Sequence, residues 1–529
     1  MTQNHNDGAD AFAQDANTLA MPQHISPASN GDDLATVYTR TLIGVDAAAV
    51  AVEVHLANGL PCFNIVGLPE TAIKESKERV RAALVNAGFD FPARRITVNL
   101  SPADLPKSGS QFDLPIAVGV LIASSQVAIP TLENVELIGE LALNGELRRV
   151  RGALPCVWAA NQSKREIIVP LQNAAEAGLV ADATCYGAYS LLQVCKHLMG
   201  IAKLNRVLPV RLDNEPIYAY EDLADVKGQP HAKRALEIAA ACKHNMLMMG
   251  PPGAGKSMLA QRLPSILPPF EIEEALASAT VRSIADGDFQ ISDWARRPFR
   301  SPHHSCSSVA LIGGGSIPKP GEVSQAHGGV LFLDEITEFT RHALEQLREP
   351  LESGYINIAR ANQSVRFPAA CQLLAACNPC KCGYYGDDTN RCQCSAASLQ
   401  AYQGKLSGPL MDRIDLHLKL SAVKLAELQK DSPPSESSVH VRARVIAARN
   451  VQLSRQGCLN SELSAQSVDP LLRLKPLDIA FLLKACEKLG LSARGFYRVK
   501  KIARTIADLD SSEGVERPQL AEALSYRSI

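Results

Sequence analysis

The segment G-P-P-G-A-G-K-S has the residue types and spacing of a phosphate-binding loop. It follows a short apolar run at residues 244–250 and precedes a helical pattern, which is the strand–loop–helix context that the motif requires. Glycines let backbone N–H groups turn toward phosphate oxygens, and the positive end of the following helix favours the same anion. We expect the lysine to contact the outer phosphates of ATP and the serine to ligate Mg²⁺. The candidate residues are Gly250, Pro251, Pro252, Gly253, Ala254, Gly255, Lys256 and Ser257.

Two carboxylates and one amide follow apolar runs that predict two further strands. Asp334 and Glu335 come directly after V-L-F-L, and Asn378 comes after L-L-A-A-C. Ligands of open α/β sheets bind at the carboxyl ends of the strands, so these side chains are candidates for the same site. Asp334 suits the Mg²⁺ shell, Glu335 suits a general base for the attacking water, and Asn378 suits a group that orients this water. A strand-capping role is the alternative for Asn378, because Asn commonly begins turns.

Four cysteines form two C-x-C pairs within residues 380–394: Cys380, Cys382, Cys392 and Cys394. A nine-residue, turn-rich loop separates the pairs. Four thiolates in two close pairs suit a closed, tetrahedral, structural Zn²⁺ site, and the metal would supply the folding energy of a loop that has no core of its own. Reduced, unliganded cysteines are the alternative.

Composition limits the class of protein. The chain has 529 residues, which predicts about three or four domains. With 46% hydrophobic and 21% charged residues, it is not a disordered or fibrous protein. Lys and Arg total 54 against 55 Asp and Glu, so binding of nucleic acid would depend on local basic clusters. No positive side chain precedes Arg40, and prolines interrupt the long uncharged stretch at 114–132. We therefore expect a cytoplasmic protein without a secretory signal or a membrane span.

The pattern along the chain predicts five segments. Residues 1–33 are polar and predict a disordered tail. Residues 34–205 contain several short apolar runs and predict a first folded domain, and 206–220 predict a linker. Strand and helix patterns alternate through 221–420, which indicates an α/β domain with a parallel sheet and crossover helices. Residues 421–529 are mostly helical in pattern.

Several longer motifs accompany the phosphate loop: L-A-D-V-K-G-Q at 223–229, R-S-P-H-H at 300–304, L-I-G-G-G at 311–315 and P-K-P-G-E at 318–322. With these motifs, nearly everything after residue 34 resembles the magnesium-chelatase-like branch of the AAA+ ATPases, and within it the ComM/YifB family. The resemblance implies an α/β fold, with an AAA+ P-loop ATPase core at 221–420 followed by a helical lid. It also implies nucleotide contacts at Val226 and Gly228, and a homo-hexameric ring with ATP sites between protomers.

The same resemblance assigns roles to two arginines. Arg413, in G-P-L-M-D-R-I-D, matches the arginine finger that one protomer supplies to its neighbour, and Arg494, in L-S-A-R-G, matches the sensor 2 arginine of the lid. A rigid guanidinium suits this task because a transferring phosphoryl group spreads charge over its oxygens. Without the family, a structural ion pair remains equally open for Arg413, since Asp412 and Asp415 flank it.

Residues 105–115 and 137–141 resemble the proteolytic domain of Lon, an α+β domain similar to ribosomal protein S5 domain 2. Lon-type chemistry needs a serine nucleophile and a lysine base. Gln111 and Leu154 stand at those positions, and neither an amide nor an isobutyl group can replace them. We therefore expect a non-proteolytic scaffold, although the nearby Ser108 and Ser110 leave an ATP-dependent protease as an alternative.

The activity implied by the family is ATP-dependent DNA translocation. The expected protein is a helicase that acts on single-stranded and branched DNA and promotes branch migration and DNA integration during natural transformation, with recombination proteins as further partners. Lys319, in the insert at 303–321, and Arg360, in a hairpin at 354–365, are candidate phosphate contacts or ordinary loop charges. A chelatase-type remodeller of a protein partner is the other alternative. A metal site at His303 and His304 is disfavoured because only Cys306 offers a further ligand nearby.

Overall fold

The computed structural model describes residues 33–129, 132–210, 220–285, 290–315, 318–360, 363–386, 391–422 and 435–527, without the side chains of residues 360 and 363. The predicted tail therefore lies outside the described residues apart from Asp33, as does most of the predicted linker. Two compact units are present. The first comprises Met1–Thr39, Ala49–Arg148 and Ala188–Asn205, and the second Arg40–Ala48, Arg149–Gly187 and Arg206–Ile529. The five segment bounds given above stay predictions.

The strands, in chain order, are β1 Leu34–Ile43, β2 Asp46–Ala57, β3 Cys62–Val66, β4 Arg95–Ser101, β5 Val135–Leu137, β6 Glu140–Leu141, β7 Leu147–Arg148, β8 Glu166–Pro170, β9 Cys185–Ala188, β10 Met246–Met249, β11 Phe299–Arg300, β12 Gly313–Gly314, β13 Lys319–Pro320, β14 Val330–Leu333, β15 Tyr355–Arg360, β16 Gln363–Pro368, β17 Gln372–Cys377 and β18 Leu416–Lys419.

The α-helices are α1 Thr71–Asn86, α2 Asp113–Ala123, α3 Ala153–Gln162, α4 Ala174–Ala177, α5 Leu191–Leu198, α6 Pro230–Cys242, α7 Lys256–Ile266, α8 Ile272–Ala285, α9 Ser308–Ile312, α10 Glu322–Gln325, α11 Arg341–Gln346, α12 Arg348–Ser353, α13 Ala396–Gln403, α14 Gly408–Met411, α15 Ser438–Gln456, α16 Ala465–Leu472, α17 Pro476–Lys488, α18 Ala493–Leu509 and α19 Arg517–Ser525. Among the described helices, none combines the length and the apolar character needed to cross a membrane.

The first unit is built on a mixed sheet. Its strands lie in the order β3-β4-β2-β1-β5, with β2 antiparallel to β4 and β3 parallel to β4. Alternate residues of β2 and β4 are buried, as expected of strands with one covered face. Helix α2 is buried almost throughout, which explains the long uncharged stretch of the sequence as a core helix.

The second unit contains a five-stranded parallel sheet in the order β11-β14-β17-β10-β18. The three strands predicted around the phosphate loop, the acidic pair and Asn378 are therefore β10, β14 and β17, and they are neighbours. Parallel strands end at the same edge of a sheet, so the residues that follow β10, β14 and β17 are brought together.

Helices cover both faces of this sheet, which is why its strands read as continuous apolar runs. Met246, Met248, Phe332 and Leu374 pack into one buried cluster, together with residues of α6, α7, α15 and α18. Leu247, Leu331, Leu333 and Leu373 pack into the other, together with residues of α11 and the β15–β16 hairpin. The central strands are thus fully enclosed, and this fixes the position of their carboxyl ends.

Candidate nucleotide site

The phosphate loop leaves β10 after Met249 and enters α7 at Lys256. Gly253 (φ +78°) and Gly255 (φ +84°) adopt left-handed backbone conformations that side chains disfavour. A Cβ added at either residue would meet no atom within 4 Å, so backbone conformation rather than crowding requires glycine there. At Gly250, in contrast, a Cβ would lie 2.8 Å from both Cβ and O of Leu420. The loop is therefore anchored at its start and open over its middle.

Lys256 links the loop to the end of β17. Its Nζ donates to the carbonyl oxygens of Gly250 (2.7 Å) and Pro251 (3.1 Å) and to Oδ1 of Asn378 (3.0 Å). Burial lowers the pKa of this ammonium group, which is half-buried. The structure thus brings two of the predicted site residues, Lys256 and Asn378, into direct contact.

Ser257 and Asp334 form a second contact across the site. The Ser257 hydroxyl donates to Oδ2 of Asp334 at 2.7 Å, and Oδ1 of Asp334 accepts the Glu335 backbone N–H at 2.9 Å. A hydroxyl and a carboxylate are hard oxygen ligands, so this pair fits the donor set that Mg²⁺ prefers.

Glu335 follows Asp334 in a left-handed backbone conformation (φ +50°), which is uncommon for a residue with a side chain. Its side chain is 54% exposed, and Oε2 lies 3.7 Å from Nδ1 of His304. This neighbour was not predicted from the sequence. The R-S-P-H-H motif at 300–304 carries the signal that could have found this neighbour. It follows β11, which pairs in parallel with β14 and therefore ends at the same edge of the sheet.

The segment at 223–229 reaches the loop through a residue that the sequence did not single out. Val226 is buried in the core, and Gly228 has a left-handed backbone (φ +63°). Nε2 of Gln229 donates to the carbonyl oxygens of Ser421 (2.8 Å) and Ala254 (3.5 Å). Gln229 therefore connects this segment to the phosphate loop.

Arg413 has partners within its own chain. Its guanidinium donates to the carbonyl oxygens of Pro409 (2.7 Å) and Arg348 (3.2 Å) and pairs with Glu352 at 2.7 Å. Arg494, the second residue of α18, is exposed. Among the described residues, neither arginine takes part in the contacts that join Lys256 to Asn378 and Ser257 to Asp334.

The two DNA candidates lie on β-hairpins. Lys319 is exposed on β13, which pairs with β12. Arg360 ends β15 and pairs in register with Gln363 of β16, but its side chain lies outside the described residues. The same β15–β16 hairpin carries Arg366, whose guanidinium lies 3.5 Å from the ring centroid of Tyr355. Arg366 is an exposed cation that sequence analysis missed.

The four cysteines converge. Their sulphur atoms all lie within 4.8 Å of one another, and the Cys380–Cys382, Cys382–Cys392 and Cys380–Cys392 pairs are separated by 3.2, 3.6 and 3.8 Å. Tetrahedral Zn²⁺ with Zn–S bonds of about 2.3 Å places its sulphurs about 3.8 Å apart, so the cluster fits this ion. A hydrogen bond from the Tyr384 backbone lowers the pKa of Cys382, whereas the pKa values of Cys392 and Cys394 are raised, in part by the neighbouring sulphurs of Cys382 and Cys380. Without a metal, Cys382 is therefore the thiol of the three that loses its proton first.

The cysteine cluster is in contact with the phosphate loop. Gly383 has φ +87°, and a Cβ added to it would lie 2.7 Å from Cδ of Pro252 and 4.0 Å from Cγ of Asn378. The turn that begins the cluster therefore packs against the loop at van der Waals distance.

The predicted protease positions are buried. Gln111 is 5% exposed, and its Nε2 has no hydrogen-bond partner among the described residues. Leu154 is fully buried in α3. Nearby, the Ser110 hydroxyl donates to the Glu140 carboxylate, and Nζ of the buried Lys107 donates to the carbonyl oxygen of Pro102. Burial lowers the pKa of Lys107.

Three family models match the chain. The model for magnesium chelatase, subunit ChlI, matches residues 222–428, that for subunit ChlI of Mg-chelatase matches 52–173, and that for the ChlI C-terminal region matches 435–527. Together they cover the five-stranded sheet with its nucleotide site, an N-terminal ChlI-associated α/β region and the C-terminal helices.

Two relatives match over most of their length. The chain is 48% identical to competence protein ComM of Haemophilus influenzae over 499 residues, which are 94% of this chain and 98% of that protein. It is 47% identical to the protein YifB of Salmonella typhimurium over 94% of this chain and 97% of YifB. A more distant match, 25% identical over 40% of this chain and 61% of the relative, is magnesium-chelatase subunit ChlI of Cyanophora paradoxa.

Proposed function

The chain belongs to the ComM/YifB family of magnesium-chelatase-like ATPases, and on that premise we propose that it is an ATP-driven DNA translocase. The observation that carries the proposal is the pair of contacts Lys256–Asn378 and Ser257–Asp334 at one edge of a parallel sheet. These contacts bring the proposed phosphate-binding cation, the proposed metal-binding pair and the proposed water-orienting amide together in one place. These are the groups that P-loop ATPases use to hydrolyse a nucleoside triphosphate.

Each residue has a distinct part in the proposed hydrolysis. Lys256 would exchange its carbonyl partners for the outer phosphates, and Ser257 and Asp334 would hold Mg²⁺. When bound, the metal would neutralise charge on the phosphate oxygens. Asn378 orients the attacking water, and Glu335 accepts its proton. Val226 and Gly228, next to the loop, contribute to binding of the nucleotide.

The proposal includes a homo-hexameric ring in which sites are completed across protomers. Arg413 acts as the arginine finger of the neighbouring site, and Arg494 completes the site from a lid formed by the C-terminal helices. A guanidinium is suited to both positions because it is always charged and presents several donors in fixed geometry. In the described protomer Arg413 is engaged by Glu352, so this role requires that the pair opens.

DNA is the proposed substrate of the motor, since the relative from Haemophilus influenzae carries the name competence protein. The proposed helicase acts in the cytoplasm on single-stranded and branched DNA, together with recombination proteins, and promotes branch migration and integration during natural transformation. Lys319 and Arg360 are the proposed phosphate contacts. A few such cations suffice, because contacts with the backbone carry affinity independent of sequence.

The remaining parts have supporting roles in this proposal. The four cysteines hold a structural Zn²⁺, which their sulphur separations fit. The Lon-like N-terminal domain is a scaffold without peptidase activity, because Gln111 and Leu154 lack the chemistry of a nucleophile and a base.

ATP turnover measured with and without DNA tests the proposal. We expect single-stranded or branched DNA to raise the turnover of the full chain, and Glu335→Gln to bind ATP without hydrolysing it. Lys319→Ala and Arg360→Ala should weaken stimulation by DNA and spare basal turnover. Lys488→Ala, at an exposed lysine that ends α17, is the matched control for loss of one positive charge.

The magnesium-chelatase family models give a second candidate, a remodeller of a protein partner. ATP turnover that responds to no form of DNA at any salt concentration would favour this remodeller and contradict the translocase. Strand exchange on a branched DNA substrate, which only the translocase should drive, separates the two in a second assay.

A further inference from the structure

We propose that Tyr402 is a positioning residue that holds the turn carrying Glu335 in the orientation required for hydrolysis. The hydroxyl of Thr337, two residues after Glu335, donates to the hydroxyl oxygen of Tyr402 at 2.7 Å. The inference rests on the proposed hydrolysis of ATP at this site, and it does not depend on the identity of the substrate that the motor moves.

The turn after β14 is strained at its first residue. Glu335 has φ +50°, a left-handed backbone conformation that is costly for a residue with a side chain. Residues Ile336–Glu338 continue as a single 3-10 turn, and the Glu338 N–H donates to the carbonyl oxygen of Glu335 at 2.7 Å. A strained conformation persists only where its surroundings hold it, so the turn needs support from outside itself.

Thr337 receives such support in the interior of the protein. Thr337 is 2% exposed and Tyr402 is 9% exposed, so water has little access to the bond between their hydroxyls. A buried hydroxyl that loses its partner costs free energy, and the bond therefore fixes the turn relative to Tyr402. The Glu335 side chain is itself 54% exposed, so its direction depends mainly on the backbone of the turn.

The order of the strands brings Tyr402 to this turn. Strands β14 and β17 are parallel neighbours, with Leu333 opposite Ala375, and both end at the same edge of the sheet. After β17 the chain passes through the cysteine cluster and enters α13, which carries Tyr402 next to its last residue. Helix α13 thus returns the chain to the turn that follows β14.

Helix α13 is itself held at both ends. Ser395 directly follows the cysteine cluster, and its hydroxyl accepts the Ser398 N–H at 3.3 Å as the N-cap of the helix. Just beyond the helix, Nζ of Lys405 lies 3.3 Å from Oε1 of Glu338, the last residue of the turn. These contacts limit the movement of the Tyr402 hydroxyl, so it can act as a fixed support.

The position of Glu335 matters for the rate more than for binding. A general base must lie within hydrogen-bond reach of the water that it activates, and a displacement of about 1 Å in an active site costs about a hundredfold in rate. Tyr402 acts on this distance through Thr337 and the turn, whereas the phosphate loop at 250–257 holds the nucleotide. Loss of the hydroxyl should therefore slow hydrolysis and leave binding of ATP unchanged.

Single-turnover hydrolysis and nucleotide titration test the inference together. We expect Tyr402→Phe, which keeps the ring, to slow hydrolysis about fivefold or more and to leave the Kd for a non-hydrolysable ATP analogue with Mg²⁺ within about twofold of wild type. Burial raises the pKa of Tyr402, so this change removes a neutral hydroxyl and no charge. Thr337→Val should slow hydrolysis to a similar degree, whereas Thr337→Ser keeps the donor and should retain most of the rate.

Tyr526→Phe is the matched control. Tyr526 is also buried, and its hydroxyl lies 3.4 Å from Oε1 of Glu522 rather than near the turn at Glu335. Its loss should leave the single-turnover rate within about twofold of wild type.

The double variant Thr337→Val/Tyr402→Phe separates positioning from stability. It replaces both hydroxyls with apolar groups of similar shape, which should restore most of the unfolding temperature that either single variant loses. If the bond orients Glu335, hydrolysis in the double variant will stay as slow as in the single variants, because the same bond is missing in all three. A rate that recovers together with the unfolding temperature would overturn the inference.

Two other results would also overturn it: an unchanged rate in Tyr402→Phe, and a raised Kd that accounts for the whole loss of activity. Wild-type protein that hydrolyses no ATP would instead contradict the proposed function itself, so the two failures are distinguishable.

Discussion

The guanidinium of Arg413 uses all three of its nitrogen atoms within its own chain. Two of these contacts are to carbonyl oxygens, and the third is to the carboxylate of Glu352, which is 52% exposed. An ion pair with a partner this exposed contributes at most about 1 kcal/mol. The pair therefore holds Arg413 in place but can open when another anion is offered.

We expect Glu352→Gln to raise ATP turnover by up to about fivefold, because the neutral amide competes less well for the guanidinium than the transferring phosphoryl group does. Arg413→Ala should abolish turnover while leaving ATP bound. Steady-state turnover at a fixed protomer concentration measures both effects.

Glu349→Gln is the matched control, since Glu349 is an exposed acid on the same helix, α12, and accepts a hydrogen bond from Asn357 rather than from Arg413. Turnover that falls in Glu352→Gln but not in Glu349→Gln would mean that the ion pair is itself the working arrangement. Arg413 would then be a structural residue, which is the alternative that its flanking aspartates leave open.

The residues that could be predicted are those whose spacing within a motif determines their contacts. Ser257 and Asp334 belong to motifs with a fixed relation to β10 and β14, so their pairing follows once both strands are identified. The contact between His304 and Glu335 depends on a strand, β11, that is only two residues long. Such a strand leaves no readable period in the sequence, so this contact could not be predicted.

At the scale of elements, the turn at Gly383 joins the cysteine cluster to the phosphate loop. Its left-handed backbone (φ +87°) favours glycine, and a Cβ added at this position would lie 2.7 Å from Cδ of Pro252, so both features require that no side chain be present. A contact under 3.0 Å between a new Cβ and a proline ring cannot be relieved by rotation of a side chain. The loop must shift instead, together with the residues that bind phosphate.

We therefore expect Gly383→Ala to raise the Kd for ATP about tenfold or more while the four cysteines still hold zinc. The physical reason is displacement of Pro252, which adjoins the glycines that present backbone N–H groups to phosphate. Nucleotide titration measures the Kd, and elemental analysis of the purified protein measures the zinc content.

Gly386→Ala is a stringent control because Gly386 has a similar backbone (φ +76°), but a Cβ added there would meet no described atom within 4 Å. Both variants carry the cost of a side chain in a left-handed conformation, about 1–2 kcal/mol, and only Gly383→Ala adds the clash. Equal effects on ATP binding in the two proteins would show that backbone strain, not contact with Pro252, is responsible.

Helix α1 shows how far periodicity identifies an element and where it stops. The pattern predicts a helix at 70–87 with Ala72, Val80, Leu84 and Val85 on its apolar side, and the helix spans Thr71–Asn86. Its buried face is instead centred on Ile73, Ser76, Val80, Ala83 and Leu84, and Val85 is 55% exposed. Periodicity predicts the helix, but the elements against which it packs, chiefly helix α2, determine which stripe is buried.

Within the second unit, buried charges join the five-stranded sheet to the C-terminal helices. Asp415, just before β18, forms an ion pair with Arg498 of α18, and its Oδ2 lies 3.6 Å from Nδ1 of His244. Nε2 of His244 lies 3.2 Å from the hydroxyl oxygen of Thr505, also in α18. These contacts span long sequence separations and follow no repeat, so the sequence predicts the sheet and the helices but not the polar connection between them.

Three histidines whose pKa values shift on folding should give their combined contribution to the folding stability a maximum near about pH 6.5. Burial opposes the charging of His244, but the neighbouring Cys242 and Asp415 outweigh it and raise the pKa of His244 to about 9. Burial lowers the pKa of His327 to about 4, and burial together with Arg527 does the same for His417. The unfolded value for histidine is about 6.5.

The signs of the two effects are opposite. A raised pKa means that His244 stabilises the fold fully below about pH 6.5 and loses this contribution as the pH rises through about 9. Its partner Cys242, whose pKa His244 lowers against the effect of burial, contributes in the opposite sense and offsets part of this loss above the unfolded thiol value of about 8.5. The lowered pKa values of His327 and His417 mean that the fold loses stability as the pH falls from about 6.5 toward about 4, where the unfolded chain binds protons more readily. Each histidine contributes up to about 3 kcal/mol, since one pKa unit corresponds to about 1.4 kcal/mol.

Thermal unfolding between about pH 4 and pH 9 measures this profile. His244→Gln removes one titrating group and keeps a side chain that can donate to Thr505 or Asp415, so its unfolding temperature should be lower than that of wild type at about pH 6.5 and should change little from there to about pH 9. The acid limb of the profile should be retained in this variant, because His327 and His417 are intact. A His244→Gln protein that keeps the full alkaline decline of wild type would show that the cluster at Asp415 does not bind its proton more tightly in the folded state.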